Sequence, residues 1–271
     1  MRKYGRFTLV ITILLTGTFF TTGCNAILVK ADEEIEPGEL ETRQYDFDDF
    51  IKVDVGSAFS YEIRKGDNRS ISIIAGSNLF KYISVTESRQ ELDVNISIPG
   101  VSFWTNGSHS RPKAIITMPE LAGLDSSGAT DGTVTGFRSD GELAISMSGA
   151  SKVDLVDIAA VTATMDMSGA SQVTGNIQAD SVEIEVSSAS QIRLEGSADY
   201  LTVEAGGASK LDLLDFIAQY ADITLRNASK GTFNLVKTLD ARVSAASTLE
   251  YTGEPVIGIL EVTGASTFRK K

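Results

Sequence analysis

From Phe47 onward, apolar and polar residues alternate in short runs instead of recurring every three or four positions, a pattern that predicts β-strands and almost no helix. The alternation is most regular after residue 124. There a tetrapeptide close to Ser-Gly-Ala-Ser recurs eight times, with its alanine at Ala129, Ala150, Ala170, Ala189, Ala208, Ala228, Ala246 and Ala265. Successive alanines lie 21, 20, 19, 19, 20, 18 and 19 residues apart. A fixed period near twenty residues marks a solenoid, in which each unit is too small to bury its own core and stacks on its neighbours.

Two strand segments flank each motif. Before it, every second residue is apolar, as in Leu143, Ile145 and Met147 or Val182, Ile184 and Val186; after it come pairs such as Val153 and Leu155 or Ile192 and Leu194. The small residues between them mark a tight corner. A parallel β-helix satisfies this pattern, because each coil pairs its strands with the coils on either side at about 4.8 Å, and eight coils then span roughly 38 Å. A β-propeller fits less well, since its blades need about forty residues or more. Stacking places the motif hydroxyls, from Thr130 and Ser151 to Ser247 and Ser266, in one column, where hydrogen bonds to each other or to corner backbone are expected.

Residues 46–123 alternate less regularly. Runs at Ile51 to Val55, Phe59 to Ile63, Ile71 to Ile74, Leu92 to Ile98 and Ala114 to Met118 are separated by turn formers such as Lys65-Gly66-Asp67-Asn68 and Pro99-Gly100. Asn78 to Ile83 is the one short helical candidate. This region is expected to form an irregular capping end of the solenoid, since an open stack exposes core and unpaired strand edges. Residues 24–45 are polar and acidic without apolar periodicity, and predict a disordered tether.

The first 23 residues read as an export signal: Arg2, Lys3 and Arg6 precede an apolar stretch from Phe7 to Phe20, too short for a stable membrane span. The single cysteine, Cys24, follows in Thr21-Thr22-Gly23-Cys24. That segment resembles the lipobox of bacterial lipoproteins and makes Cys24 the expected lipidation site, although Thr21 stands where leucine is usual. Cleavage after Ala31, giving a freely secreted protein, is the alternative. With the leader removed, 21 basic residues face 36 acidic ones, a net charge of −15. Such acidity argues against nucleic acid and anionic lipid as partners.

Several segments together carry a family resemblance. The run Phe47-Asp48-Asp49-Phe50-Ile51-Lys52-Val53-Asp54-Val55-Gly56-Ser57-Ala58-Phe59, then Glu62-Ile63-Arg64-Lys65-Gly66-Asp67, the proline before Leu121 and the Ser-Gly-Ala-Ser units resemble the bacterial DUF2807 family, the putative auto-transporter adhesin, head GIN domain. The resemblance covers about residues 46–268. It implies an all-β, right-handed parallel β-helix exported to the cell envelope, often as a lipoprotein, and it supplies no catalytic residues. The chain ends at Lys271 directly after the last coil, so the membrane barrel of an autotransporter is not expected within it.

Catalysis through histidine or cysteine finds few candidates, because His109 is the only histidine and Cys24 the only cysteine. No phosphate-binding or dinucleotide-binding glycine fingerprint is present. Carboxylates remain: the outward column four residues before each motif alanine places Asp166, Glu185 and Glu204 on adjacent coils, with Glu183 and Asp222 in the next column. Stacked like charges are either solvated or neutralised by a cation such as calcium, which makes these three the candidate metal residues. No other cofactor is expected. The segment from Val101 to Ser110 holds the only tryptophan and histidine, and Phe103, Trp104 and His109 are candidate ligand-binding residues for a sugar ring or a partner protein. The same aromatics could instead fold back over the end of the core. The expected function is a non-enzymatic, lipid-anchored envelope protein with an adhesin-like or structural role, binding polysaccharide or a surface protein. The alternative is a carbohydrate-active β-helix enzyme using carboxylates.

Overall fold

The computed structural model describes residues 38–98 and 111–271. Its strands are β1 (Leu40–Tyr45), β2 (Lys52–Val55), β3 (Ser60–Lys65), β4 (Ser70–Gly76), β5 (Ile83–Ser88), β6 (Glu91–Ile96), β7 (Lys113–Met118), β8 (Gly123–Ser126) and β9 (Asp131–Thr135). They continue as β10 (Glu142–Met147), β11 (Lys152–Met167), β12 (Gln172–Val186), β13 (Gln191–Ala205), β14 (Lys210–Leu225), β15 (Lys230–Val243), β16 (Thr248–Thr252), β17 (Val256–Val262) and β18 (Thr267–Lys270). The result is an all-β solenoid of about seven turns with coils of about twenty residues.

Two long sheets meet at the motif corners. The first, built from segments that precede a corner, runs β5, β6, β2, β8 and β10, then the C-terminal halves of β11 to β15, and ends at β17. The second, built from segments that follow a corner, runs β1, β4, β7, β3 and β9, then the N-terminal halves of β11 to β15, and ends at β16 and β18. A short third side joins them in the middle coils, where Ile158 to Ala160 pair with Ile177 to Ala179 and these with Gly196 to Ala198. Alternation decides what points inward: Leu143, Ile145, Met147, Val153, Leu155 and their equivalents in later coils are buried. Each such strand is too short to hold a core alone, so the core is one continuous column shared by all coils.

The corners explain the small residues. The residue before the motif alanine has a positive φ, as in Gly149 at +73°, and a β-carbon there would lie 2.5 Å from the Gly128 carbonyl oxygen of the preceding coil. That same oxygen accepts a hydrogen bond from the Ala150 amide at 2.6 Å. The motif hydroxyls close the corner from inside: Ser151, Ser171, Ser209 and Ser229 each donate to the carbonyl three residues earlier, at 2.7, 2.8, 2.7 and 2.9 Å. The column is therefore held mainly through corner backbone, with Ser229 to Ser247 at 3.4 Å as one hydroxyl-to-hydroxyl link.

The corner ladder changes direction once. Ala129, Ala150, Ala170, Ala189 and Ala208 donate back to the preceding coil, whereas Ala228 donates forward to Ala245 at 2.9 Å and Ala246 forward to Gly264 at 2.8 Å. From Asn227 on, the corner peptide has turned over, and both residues of each corner take positive φ, including Asn227, Ala228, Ala245 and Ala246.

The N-terminal region departs from expectation in three ways. Part of it is a regular coil: β2 and β3 are joined by a ninth corner, with Ser57 at φ 64° and the Ala129 amide donating to the Ser57 carbonyl at 2.6 Å. Chain order is not stacking order either, because β6 and β7 lie outside β2 and β3, which pair in turn with β8 and β9. Finally, the last part of the expected 24–45 tether is strand β1, antiparallel to β4 from Leu40 opposite Gly76 to Tyr45 opposite Ile71. It covers an edge that β4 would otherwise leave open, which outweighs its polar composition. The cap is completed by antiparallel β4 and β5 and by a 3-10 helix, Ser77–Tyr82, that buries Leu79 and Phe80 and matches the single helical expectation. At the other end, among the described residues, no strand lies beyond β17 and β18, and Val256, Ile259, Leu260 and Val262 are exposed.

Candidate binding surfaces of the solenoid

The outward residues of the first sheet form the carboxylate column expected from the repeat. Ser146, Asp166, Glu185, Glu204, Thr224, Arg242 and Glu261 are successive partners in register. The column extends further than the repeat indicates, because Ser146 pairs with Asp125, Asp125 with Asp54, and Asp54 with Asp93. Six carboxylates thus stand in line, interrupted only by Ser146. Their strands impose a spacing of about 4.8 Å, at which like charges repel unless water or a partner intervenes.

Two cations meet this face from its C-terminal side. Arg226 lies 3.9 Å from Glu204, and Arg242 donates to Asp222 in the neighbouring column at 2.8 Å. Asp166, Glu185 and Glu204 line a shallow depression of about 270 Å³ together with Thr224, Arg226 and Asn227. Among the described residues, no group of three or more acidic, histidine or cysteine side chains is arranged to hold a metal ion. Asp166, Glu185 and Glu204 project side by side from neighbouring strands in register.

Nearer the cap the environment changes. Asp54 is half-buried between Asp93 and Asp125, and its carboxyl is pushed up to about 6, first by loss of water and then by Asp93, Asp125 and Glu91. Glu62, on β3 in the second sheet, is instead neutralised by ion pairs with Arg64 and Lys113.

The other expected site residues, Phe103, Trp104 and His109, lie outside the described residues, as does Cys24. A different aromatic feature is visible. Tyr200 and Tyr220 are partners on adjacent coils, and their rings stack with centroids 5.2 Å apart and planes 18° from parallel. Lys237 places its ammonium 5.0 Å from the Tyr220 ring. Both tyrosines stand eight residues before a motif alanine, a sequence signal that becomes meaningful only once the coils are superposed.

The model of the family described as DUF2807, "Putative auto-transporter adhesin, head GIN domain", matches residues 49–255. Among solved structures, a putative adhesin from Parabacteroides merdae has a TM-score of 0.77 at 15% identity, over 85% of this chain and 96% of that one. A putative adhesin from Parabacteroides distasonis gives 0.76 at 14% identity, over 85% and 96%. A structure from the same species described as a putative lipid binding protein gives 0.75 at 20% identity, over 86% and 97%. At these identities the likeness establishes the fold alone. No curated protein matches the chain significantly.

Proposed function

This chain belongs to the DUF2807 family, and from that premise we propose that it is an exported, lipid-anchored surface protein whose solenoid presents a binding face without catalysis. The observation that carries this reading is the uniformity of the coils. Corners recur every 18 to 21 residues, and the strands on either side of them stack coil on coil in register as a ladder. Such a ladder suits display of a repetitive surface, whereas a catalytic cleft would need walls built from longer loops. The leader and Cys24 supply export and attachment to a membrane, and the acidic sheet favours polysaccharide or a surface protein over nucleic acid as partner.

Two measurements on cells test this. Metabolic labelling with an alkynyl fatty acid should mark the wild-type protein and not Cys24→Ser, which should be released to the medium. Cells displaying the full chain should adhere to glycan-coated or partner-cell surfaces better than cells carrying an empty vector, and equal adherence overturns the adhesin-like role.

One observation favours a second reading, a carbohydrate-active enzyme. Asp54, its carboxyl raised to about 6, stands beside Asp93 and Asp125 on adjacent strands, and paired carboxyls about 5–5.5 Å apart are the arrangement of retaining glycosidases. Release of reducing ends from polysaccharide by the wild type, abolished in Asp54→Asn, would establish it in place of the binding role.

A further inference from the structure

Among the described residues exposed aromatic side chains are uncommon, and the two best placed ones stack on each other. Tyr200 remains 57% exposed and Tyr220 38% exposed despite the stack. Nothing in folding requires two large rings to meet on the outside of a β-sheet. Tyr220 is flanked by Lys237 on the side away from Tyr200. The partner of Tyr200 on its other side is Ser181, and beyond that Thr162. These side chains are too small to cover an aromatic ring, so one face of Tyr200 is left open above Ser181.

The neighbouring corner supplies polar groups at the same level. Asp180, Asp199 and Gln219 immediately precede Ser181, Tyr200 and Tyr220. With Gln178 and Ser197 they line a groove of about 400 Å³ whose remaining lining is alanine, including Ala179 and Ala198. Its volume is that of a small-ligand site of roughly 300–1,000 Å³. Carboxylates and amides accept and donate several hydrogen bonds each, and no ion pair to Asp180 or Asp199 forms among the described residues.

We infer that the Tyr200–Tyr220 stack and the adjoining Asp180–Asp199 groove form a binding subsite for an uncharged hexopyranose unit of a glycan. The apolar face of the sugar ring lies on the open face of Tyr200, and its hydroxyls donate to Asp180 and Asp199. An aromatic platform beside several hydroxyl acceptors is the complement of a pyranose, which has one apolar face and a polar rim. An anionic sugar is excluded by the two carboxylates and by the acidity of the whole surface. The inference rests on the surface-binding reading above and names its ligand.

The test uses the full-length protein in detergent micelles, titrated calorimetrically with cellohexaose, maltohexaose, mannohexaose and N-acetylchitohexaose. Oligogalacturonate serves as an anionic control and oligolysine as a cationic one. Saturable binding of at least one neutral hexasaccharide is expected, weakened about tenfold in Tyr200→Ala, kept in Tyr200→Phe, and weakened in Asp199→Ala. Both tyrosine variants should melt with the wild type because the side chain is exposed. Absence of binding to all four neutral sugars overturns the proposal, as does binding indifferent to Tyr200→Ala; binding of oligolysine alone overturns it in favour of a basic peptide. Adherence of cells displaying Tyr200→Ala separates the two readings. Adherence retained at the wild-type level refutes this subsite and leaves the surface role standing, while failure of the wild type to adhere refutes the role itself.

Discussion

The ring of Tyr61 occupies the space into which a β-carbon at Gly132 would project. The two residues belong to adjacent coils and are partners in register between β3 and β9. Tyr61 is fully buried, its hydroxyl donates to Ser126 Oγ at 3.2 Å, and Ser126 in turn bonds Thr130 at 2.6 Å, so this phenol anchors the first member of the hydroxyl column. Burial raises the phenol's pKa and keeps it a neutral donor.

Gly132→Ala should therefore act as an overpacking change, costing about 2–3 kcal/mol in urea-induced unfolding. Tyr61→Ala alone should cost about 3–5 kcal/mol through the cavity it leaves. The double variant should be less destabilised than the sum of the two, because the added methyl enters vacated space. Strict additivity would mean that the two side chains do not compete for one volume.

The hydroxyl column predicts opposite results for two serines that look alike in sequence. Ser171 donates to the Ser168 carbonyl at 2.8 Å, whereas the Ser190 hydroxyl is buried with no partner among the described residues. Ser171→Ala should cost about 1 kcal/mol, and Ser190→Ala should be neutral or slightly stabilising, since it removes an unsatisfied polar group. Thermal melts of the two variants side by side read this directly.

The reversal of the corner ladder makes glycine favourable at one corner and unfavourable at another. Ala246 sits at φ 62°, in the left-handed region that a side chain disfavours, while Ala150, at the same position of an earlier corner, is not among the residues with positive φ. Ala246→Gly should gain about 0.5–1 kcal/mol, and Ala150→Gly should lose a similar amount through the entropy of the unfolded chain. Equal signs in the two melts would contradict the turned-over peptide.

Asp54 gives the pH dependence. Its folded carboxyl is raised to about 6, so in the pH range from about 6 down to about 4 the folded protein binds more protons than the unfolded chain. Its contribution to stability thus grows as pH falls through that window and is unfavourable above it. Asp54→Asn should stabilise the protein at pH 8, by about 1 kcal/mol once solvent screening of a half-exposed group is allowed for, and the gain should vanish at pH 4. A gain that persists at pH 4 would assign the effect to packing.

Much of this molecule is legible in the chain because its information is local and repeated. The alternation of Leu143, Ile145 and Met147, the small residues of each corner and the period between them depend only on near neighbours, and every coil states them again. Register follows too, since superposing the motifs already pairs Asp166 with Glu185 and Arg193 with Asp212. The capping end is different. Strand β5 returns on β6 through Arg89 and Gln90, both at positive φ, a tight turn made without the glycine or asparagine that usually announces one. Strand β1 has no pattern of its own and exists because β4 offers an edge.

The extension of the carboxylate column to Asp125, Asp54 and Asp93 was hidden for a related reason. Residues 52–55 and 91–96 stack in an order that the chain does not follow, so no spacing along the sequence places Asp93 beside Asp54. Tyr200 and Tyr220 are twenty residues apart and unremarkable in the sequence, yet the coil brings their rings to 5.2 Å. The sequence by itself determined the solenoid, its period and its inward face, since those follow from side-chain alternation and corner sterics repeated coil after coil. Only the tertiary structure decided the cap, the direction of each corner peptide and the meeting of outward side chains, because these depend on which open edge, carbonyl or ring the neighbouring coil presents.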